Sequence, residues 1–138
     1  MVTETVRVGF TGTRYGLSDE QKQTLPTLLT DVAEFHHGDC VGADADGHAI
    51  AFGLGIPIHV HPPSDDRLRA YSVNFIQTYQ TKGYFGRDRD IVDFTDYLIA
   101  CPRSRSSRTG GTWFTIGYAR SKHKSVDVIW PDGEVTTL

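Results

Sequence analysis

Two glycine-bearing stretches carry side chains that could gather an anion. His37 to His48 reads H-G-D-C-V-G-A-D-A-D-G-H, and Thr109 to Thr115 reads T-G-G-T-W-F-T. Gly38 and Gly42 permit backbone angles that turn a strand sharply into a helix. A helix start formed in this way has free N–H groups and the positive end of a dipole, which together favour phosphate. A tight strand-to-helix loop without a ligand uses the same glycines, so the first stretch alone leaves both readings open. The second stretch favours the ligand. Gly110 and Gly111 allow close backbone approach, and Thr112 and Thr115 offer hydroxyls at a helix start, although Thr112 as a plain N-cap is the alternative. Thr11-Gly12-Thr13-Arg14 forms a third polar turn. Arg103, Arg105 and Arg108 lie just upstream of Gly110, where one reaches phosphate or all three form a solvated basic loop.

The elements needed to bring these turns together are legible. Val6 to Phe10 reads as a strand. Ser18 and Gln21 have capping-box spacing ahead of a helical pattern through Leu25, Leu28, Leu29, Val32 and Phe35, with Pro26 inside it. A strand over Phe35 to Asp39 follows from context, then a helix over Ala43 to Leu54 and a strand over Ile56 to His61. Ser64 to Gly86 has only partial helical spacing and Lys82 to Phe85 reads as loop, while Arg87 to Asp96 reads as a short helix. Tyr97 to Cys101 is a strand closed by Pro102, Thr112 to Lys122 a helix, and Ser125 to Pro131 the last strand; Asp132 to Leu138 carries no strong signal. Strand and helix alternate, which predicts an α/β fold: a Rossmann-like three-layer sandwich on a mostly parallel sheet of about five strands, spanning 1–138 as a single domain. Every polar turn follows a strand, so the fold gathers them at the carboxyl edge of the sheet, where such folds bind ligands.

Composition narrows the function classes. With 14 Lys+Arg against 17 Asp+Glu, the formal charge is −3, so no global basic field draws the chain to nucleic acid or to an anionic membrane. Cys40 and Cys101 are far apart and lack C-x-x-C spacing, which argues against a disulfide framework and a zinc site and for a reducing, cytoplasmic home. No apolar run is long enough to span a bilayer, and Met1 to Arg7 lacks the pattern of a signal peptide. His59 and His61 share a strand face, but no third ligand has an evident place. They are expected at a surface or an interface, and no metal site is expected. His48, one turn into its helix, reads as a packing or capping group rather than a general base. Trp113, Tyr118 and Phe85 could stack on a base; Trp113 and Tyr118 read first as core or dimer contacts.

Gly42-Ala43-Asp44, His48 and Ala51-Phe52-Gly53 together resemble the G-x-D-x-x-x-H-x-x-A-L-x-x-G signature of DNA-processing protein A and its relatives. Gly110 to Ile116, with Ala119 behind, resembles that family's S-G-S-L-x-T-A-x-x-A loop, and Thr11 to Arg14 its V-G-S-R turn. The three fall in the right order over nearly the whole chain and resemble the SLOG superfamily, nearest its small YspA/YpsA-related branch, which is related to the lonely-guy phosphoribohydrolases. The resemblance implies a nucleotide or nucleotide-derived ligand held across the loops, no further cofactor, and a homodimer. The residues it marks are Gly12, Thr13, Arg14, Gly42, Asp44, Gly110, Gly111, Thr112 and Thr115; Gly38 joins these candidates from the strand-to-helix turn. Arg87 and Arg89, in a segment that resembles the basic run of YspA-like members, would clamp phosphate or instead pair with Asp88 and Asp90.

Three functions follow from that resemblance. The first is a nucleotide-derivative binder acting as sensor or sequestering protein. The second is a phosphoribohydrolase cleaving the N-glycosidic bond of a nucleoside 5′-monophosphate, but the position of the lonely-guy catalytic Glu is Tyr118. Asp44 would have to replace it, stabilising positive charge or activating water; hydrogen bonding to ribose or to the turn backbone is the favoured role for Asp44. Single-stranded DNA binding ranks last, because the charge is wrong for strand tracking.

Overall fold

The computed structural model describes residues 6–138; the reading of the amino terminus as free of a signal peptide falls, for residues 1–5, outside them. The central strand is β1, Val6–Gly12, which sends Val8 and Phe10, both fully buried, to one face of the sheet. Its polar turn leads to α1, Asp19–Thr24, where Ser18 Oγ accepts from the Gln21 N–H and Gln21 Oε1 accepts from the Ser18 N–H, each at 3.0 Å. Pro26 then breaks the pattern. α1 passes into a 3-10 turn over Leu25–Leu28, and Val32 and Phe35, read from the sequence as helical, belong to β2, Val32–His37. Gln21 also ties α1 to the sheet, since its Nε2 donates to the Pro102 and Ile129 carbonyls at 3.1 and 2.8 Å.

After β2 come α2 (Ala43–Gly53), β3 (Ile58–Val60), β4 (Gln77–Thr78), α3 (Tyr84–Asp93), β5 (Tyr97–Cys101), α4 (Gly111–Ser121), β6 (Val126–Ile129) and β7 (Val135–Thr137). The sheet has seven strands in the order β4-β3-β2-β1-β5-β6-β7. All neighbouring pairs are parallel except β6 with β7. The α/β reading therefore holds with two strands more than the expected five, both short edges. β7 arises because Asp132-Gly133 makes a hairpin turn, closed by Gly133 N–H donating to Trp130 O and Trp130 N–H donating to Glu134 O. α3 begins at Tyr84 and so takes in residues read as loop.

Apolar side chains alternate along the strands and fill two cores. Val8, Phe10, Phe35, Ile58, Val60 and Ile99 pack on the α1–α2 side. Leu98, Ala100, Val126 and Val128 pack on the α3–α4 side against Ile91, Ile116 and Ala119. The long connection between β3 and α3 is held by polar groups. Asp39 accepts from the Ser72 N–H at 2.9 Å and from Arg69 Nε at 3.0 Å. A buried histidine pair pins the same segment: the Asp39 N–H donates to His37 Nδ1, so His37 Nε2–H donates to His48 Nδ1 and His48 Nε2–H to Val73 O. His48 is thus a packing group, and burial holds His37 neutral by pushing its pKa well down. Among the described residues no helix is long and apolar enough to cross a membrane.

Candidate functional site

The order of the strands reverses at β1, although the strands on either side run parallel to it. β2, β3 and β4 lie on one side of it and β5 on the other, so the loops after β1 and β5 diverge and leave a crevice at their carboxyl ends. A cleft of about 780 Å³ opens there, within the range of roughly 300–1,000 Å³ that holds small organic ligands. One wall is Gly12 to Tyr15. The opposite wall is the segment from Pro102 to Gly110 with the first turn of α4. Tyr84, Phe85, Arg87, Asp88 and Ile91 of α3 close a third side, and Cys40 and Asp44 reach in from the loop after β2.

The start of α4 faces this cleft. Gly110 is its N-cap with φ +94, a backbone state that side-chained residues rarely adopt, and no side chain caps the helix. Gly110, Gly111 and Thr112 thus present an uncapped helix end to the cleft. Two guanidinium groups flank the mouth: Arg103 lies 3.9 Å and Arg14 5.2 Å from the centre of the Tyr15 ring. The other basic side chains of the loop already have partners within the protein. Arg105 pairs with Asp132 and Glu134, and Arg108 lies over Trp113.

The inner end of the cleft is a buried charged cluster. Arg87 Nε donates to Asp88 Oδ1 at 2.7 Å, Nη1 to the Gly38 carbonyl, and Nη2 lies 3.5 Å from Cys40 Sγ. Burial alone opposes charge on Arg87, but Asp88, Cys40 and Asp44 hold the guanidinium protonated, above its ordinary value. Asp44 Oδ2 accepts from the Cys40 N–H at 3.2 Å, a turn-backbone contact, one of the two hydrogen-bonding roles read for it from sequence. Burial pushes the Asp44 carboxyl up to about 7 despite Arg87 nearby. Burial also raises both thiols, so neither Cys40 nor Cys101 is a ready thiolate.

Of the residues marked from sequence, Gly12, Thr13, Arg14, Asp44, Arg87, Gly110, Gly111 and Thr112 line the cleft. Four do not. Gly38 lies behind Arg87, to which it gives its carbonyl. Gly42 is wedged against the backbone of Arg14, and the α2 start is already taken, because the Ala43 N–H donates to Thr13 O at 2.8 Å. Arg89 is exposed on the outer side of α3. Thr115 is fully buried and donates to Gly111 O at 2.9 Å, bracing the loop from within. The lonely-guy Glu position also lies outside: Tyr118 donates to Asp93. Sequence reasoning missed Asp88, Tyr15, Tyr84 and Leu68 as lining groups. The signal for the first three was their place beside Arg87, Arg14 and the start of α3; Leu68 had none.

The Asp44 carboxyl makes stability depend on pH. Its folded value near 7 exceeds the ordinary 3.8, so between these values the folded chain keeps a proton that the unfolded chain releases. The stability from this group is full below about pH 4 and is lost as pH rises through 7. Urea unfolding from pH 5 to 8 should show this decline, and Asp44→Asn should flatten it.

The strand order and the cleft at the reversal define a doubly wound, Rossmann-like α/β fold. No protein-family model and no curated protein matches the sequence. Among solved structures, the chain is similar to the molybdenum cofactor binding protein from the phototrophic bacterium Rippkaea orientalis, with a TM-score of 0.71 and 17% identity over 94% of this chain and 78% of that one. At this identity the likeness is one of fold.

Proposed function

We propose that the chain binds a phosphate-bearing nucleotide or nucleotide-derived ligand in the cleft and acts as a sensor or sequestering protein. The observation that carries the reading is one cleft joining the uncapped α4 start and two mouth arginines to a buried polar end formed by Arg87, Asp88 and Asp44. Phosphate sits at Gly110 to Thr112 under Arg103, and a planar ring lies among Tyr84, Phe85 and Trp113. The similar protein is a molybdenum cofactor binding protein, which supports a small cofactor-like ligand in this cleft. A homodimer belongs to the same reading, supported by the exposed apolar side chains Val73, Phe75 and Ile76, and sedimentation velocity measures it.

A second reading is N-glycosidic hydrolysis, favoured by an Asp44 carboxyl that exchanges its proton near pH 7 in the cleft. One experiment separates the two. The protein is incubated with nucleoside monophosphates, ADP-ribose, cyclic nucleotides and molybdopterin, while melting temperature and released base are followed together. A true ligand at 100 times its dissociation constant stabilises by about 2.7 kcal/mol. Arg103→Ala should weaken it about 10-fold or more through loss of a charged hydrogen bond. Stabilisation without base release establishes the binder. Base release abolished by Asp44→Asn establishes the hydrolase, and no shift with any compound overturns the phosphate site.

A further inference from the structure

Away from the cleft, we propose that Glu34, His36 and His59 form a site for a divalent first-row transition metal ion of the zinc class. His36 on β2 stands opposite His59 on the parallel strand β3, and Glu34, two residues before His36, shares its face. That face is the one turned away from Phe35, Ile58 and Val60. Contrary to the surface placement expected for them, His59 and His61 are buried, as is His36. The third ligand that the sequence did not place is Glu34.

The donor atoms already converge. Glu34 Oε1 is 2.9 Å from His36 Nε2 and 3.5 Å from His59 Nε2, and all three atoms lie within 4.8 Å of one another. Tetrahedral zinc with bonds of about 2.0–2.1 Å sets neighbouring donors about 3.3 Å apart, so the carboxylate needs only small shifts. The imidazoles are stacked, with ring centroids 4.4 Å apart and planes 11° from parallel. An imidazole holds an ion in its own ring plane, so the stacked rings do not serve one ion as they stand. Loading turns His59, the less buried ring, until its Nε2 lone pair meets an ion in the plane of His36. Two nitrogens and one carboxylate suit Zn²⁺ or Co²⁺ rather than Mg²⁺ or Ca²⁺. The Glu34 side chain is 30% exposed, which leaves a fourth position open to water.

The outer nitrogens have the partners that a metal-binding histidine needs. His36 Nδ1 is 2.8 Å from His61 Nε2, and His59 Nδ1 is 3.0 Å from the Tyr79 hydroxyl. Without an ion, the Nε2–H groups of His36 and His59 face Glu34. An ion displaces both protons to Nδ1 of the same rings, where they are donated to His61 Nε2 and the Tyr79 oxygen. The His61 proton then moves to its own Nδ1, a buried atom with no hydrogen-bond partner. Each ring stays neutral and no proton leaves the protein.

The test is titration of the full chain, prepared without a histidine tag, with Co²⁺ and then Zn²⁺, followed by visible absorption and metal content. The expected result is one Co²⁺ per chain with the intense d–d bands of four-coordination, displaced by Zn²⁺. His59→Gln and Glu34→Gln should weaken binding by at least about 100-fold, and Tyr79→Phe, which removes an outer acceptor, by about 10-fold. Circular dichroism checks that each variant folds; if His59→Gln does not, the partly exposed Glu34→Gln decides. Absence of stoichiometric uptake, or uptake that survives loss of Glu34, overturns the assignment.

Discussion

Arg87→Met should destabilise the protein by about 3–5 kcal/mol, the usual cost of removing one partner from a buried ion pair. The Arg87 side chain is 6% exposed and that of Asp88 8%, so the carboxylate left behind has little water to turn to. Asp44 loses its attracting cation as well, and the Gly38 carbonyl loses its donor. Methionine fills similar volume, so the loss measures charge and hydrogen bonding rather than a cavity. Urea unfolding is the measurement. The deficit should be larger at pH 8 than at pH 5, because protonation relieves a stranded carboxylate. Arg87→Met combined with Asp88→Asn should recover part of it. A single variant as stable as the parent would show that the cluster is not closed to water as the structure has it.

Gly42→Ala should also be severe, at about 2–6 kcal/mol from left-handed backbone strain and overpacking combined. Gly42 has φ +89, and a Cβ there would meet the carbonyl carbon and oxygen of Arg14 at 2.3 Å. Those are backbone atoms, so no rotamer change relieves the clash. The β1–α1 loop must retreat, and it carries Thr13 and Arg14 of the cleft wall. Ligand affinity should therefore fall with stability, whereas Arg103→Ala should lower affinity alone. Thermal melts with and without ligand distinguish the two effects.

What could be seen in the sequence and what could not follows from where the information lies. The Tyr97–Cys101 strand was legible because all of its side chains are apolar or aromatic and Pro102 stops it. The capping box at Ser18 and Gln21 was legible because it is purely local. β2 was displaced because Val32 and Phe35 happen to sit at helical spacing from Leu25 and Leu28, and only the break at Pro26 separates the two patterns. The segment from Ser64 to Gly83 was opaque because side chains from elsewhere hold it, Asp39 gripping Ser72 and His48 gripping Val73. In the cleft, the glycines facing a ligand and those facing the protein carry the same signature. Gly110 opens on space, whereas Gly42 meets the Arg14 backbone. Only the packing of α2 against β1 tells them apart. His59 was weighed as a ligand from sequence, but its partners Glu34 and His36 escaped notice because they meet it through strand register, which local sequence does not encode.

The central position of β1 also bears on how the chain finds its structure. Val8 pairs locally in sequence with Phe35 but distantly with Tyr97, and the cleft straddles that second pairing. Distant pairings form against a larger loss of chain freedom, so they tend to be made late. Binding in the cleft thus has to wait for the two halves of the sheet to join. A ligand held there should act on the completed topology, slowing unfolding far more than it speeds folding. Under the proposed role of sensor or sequestering protein, occupancy would then be recorded as lifetime: loaded chains persist, and empty ones open and turn over.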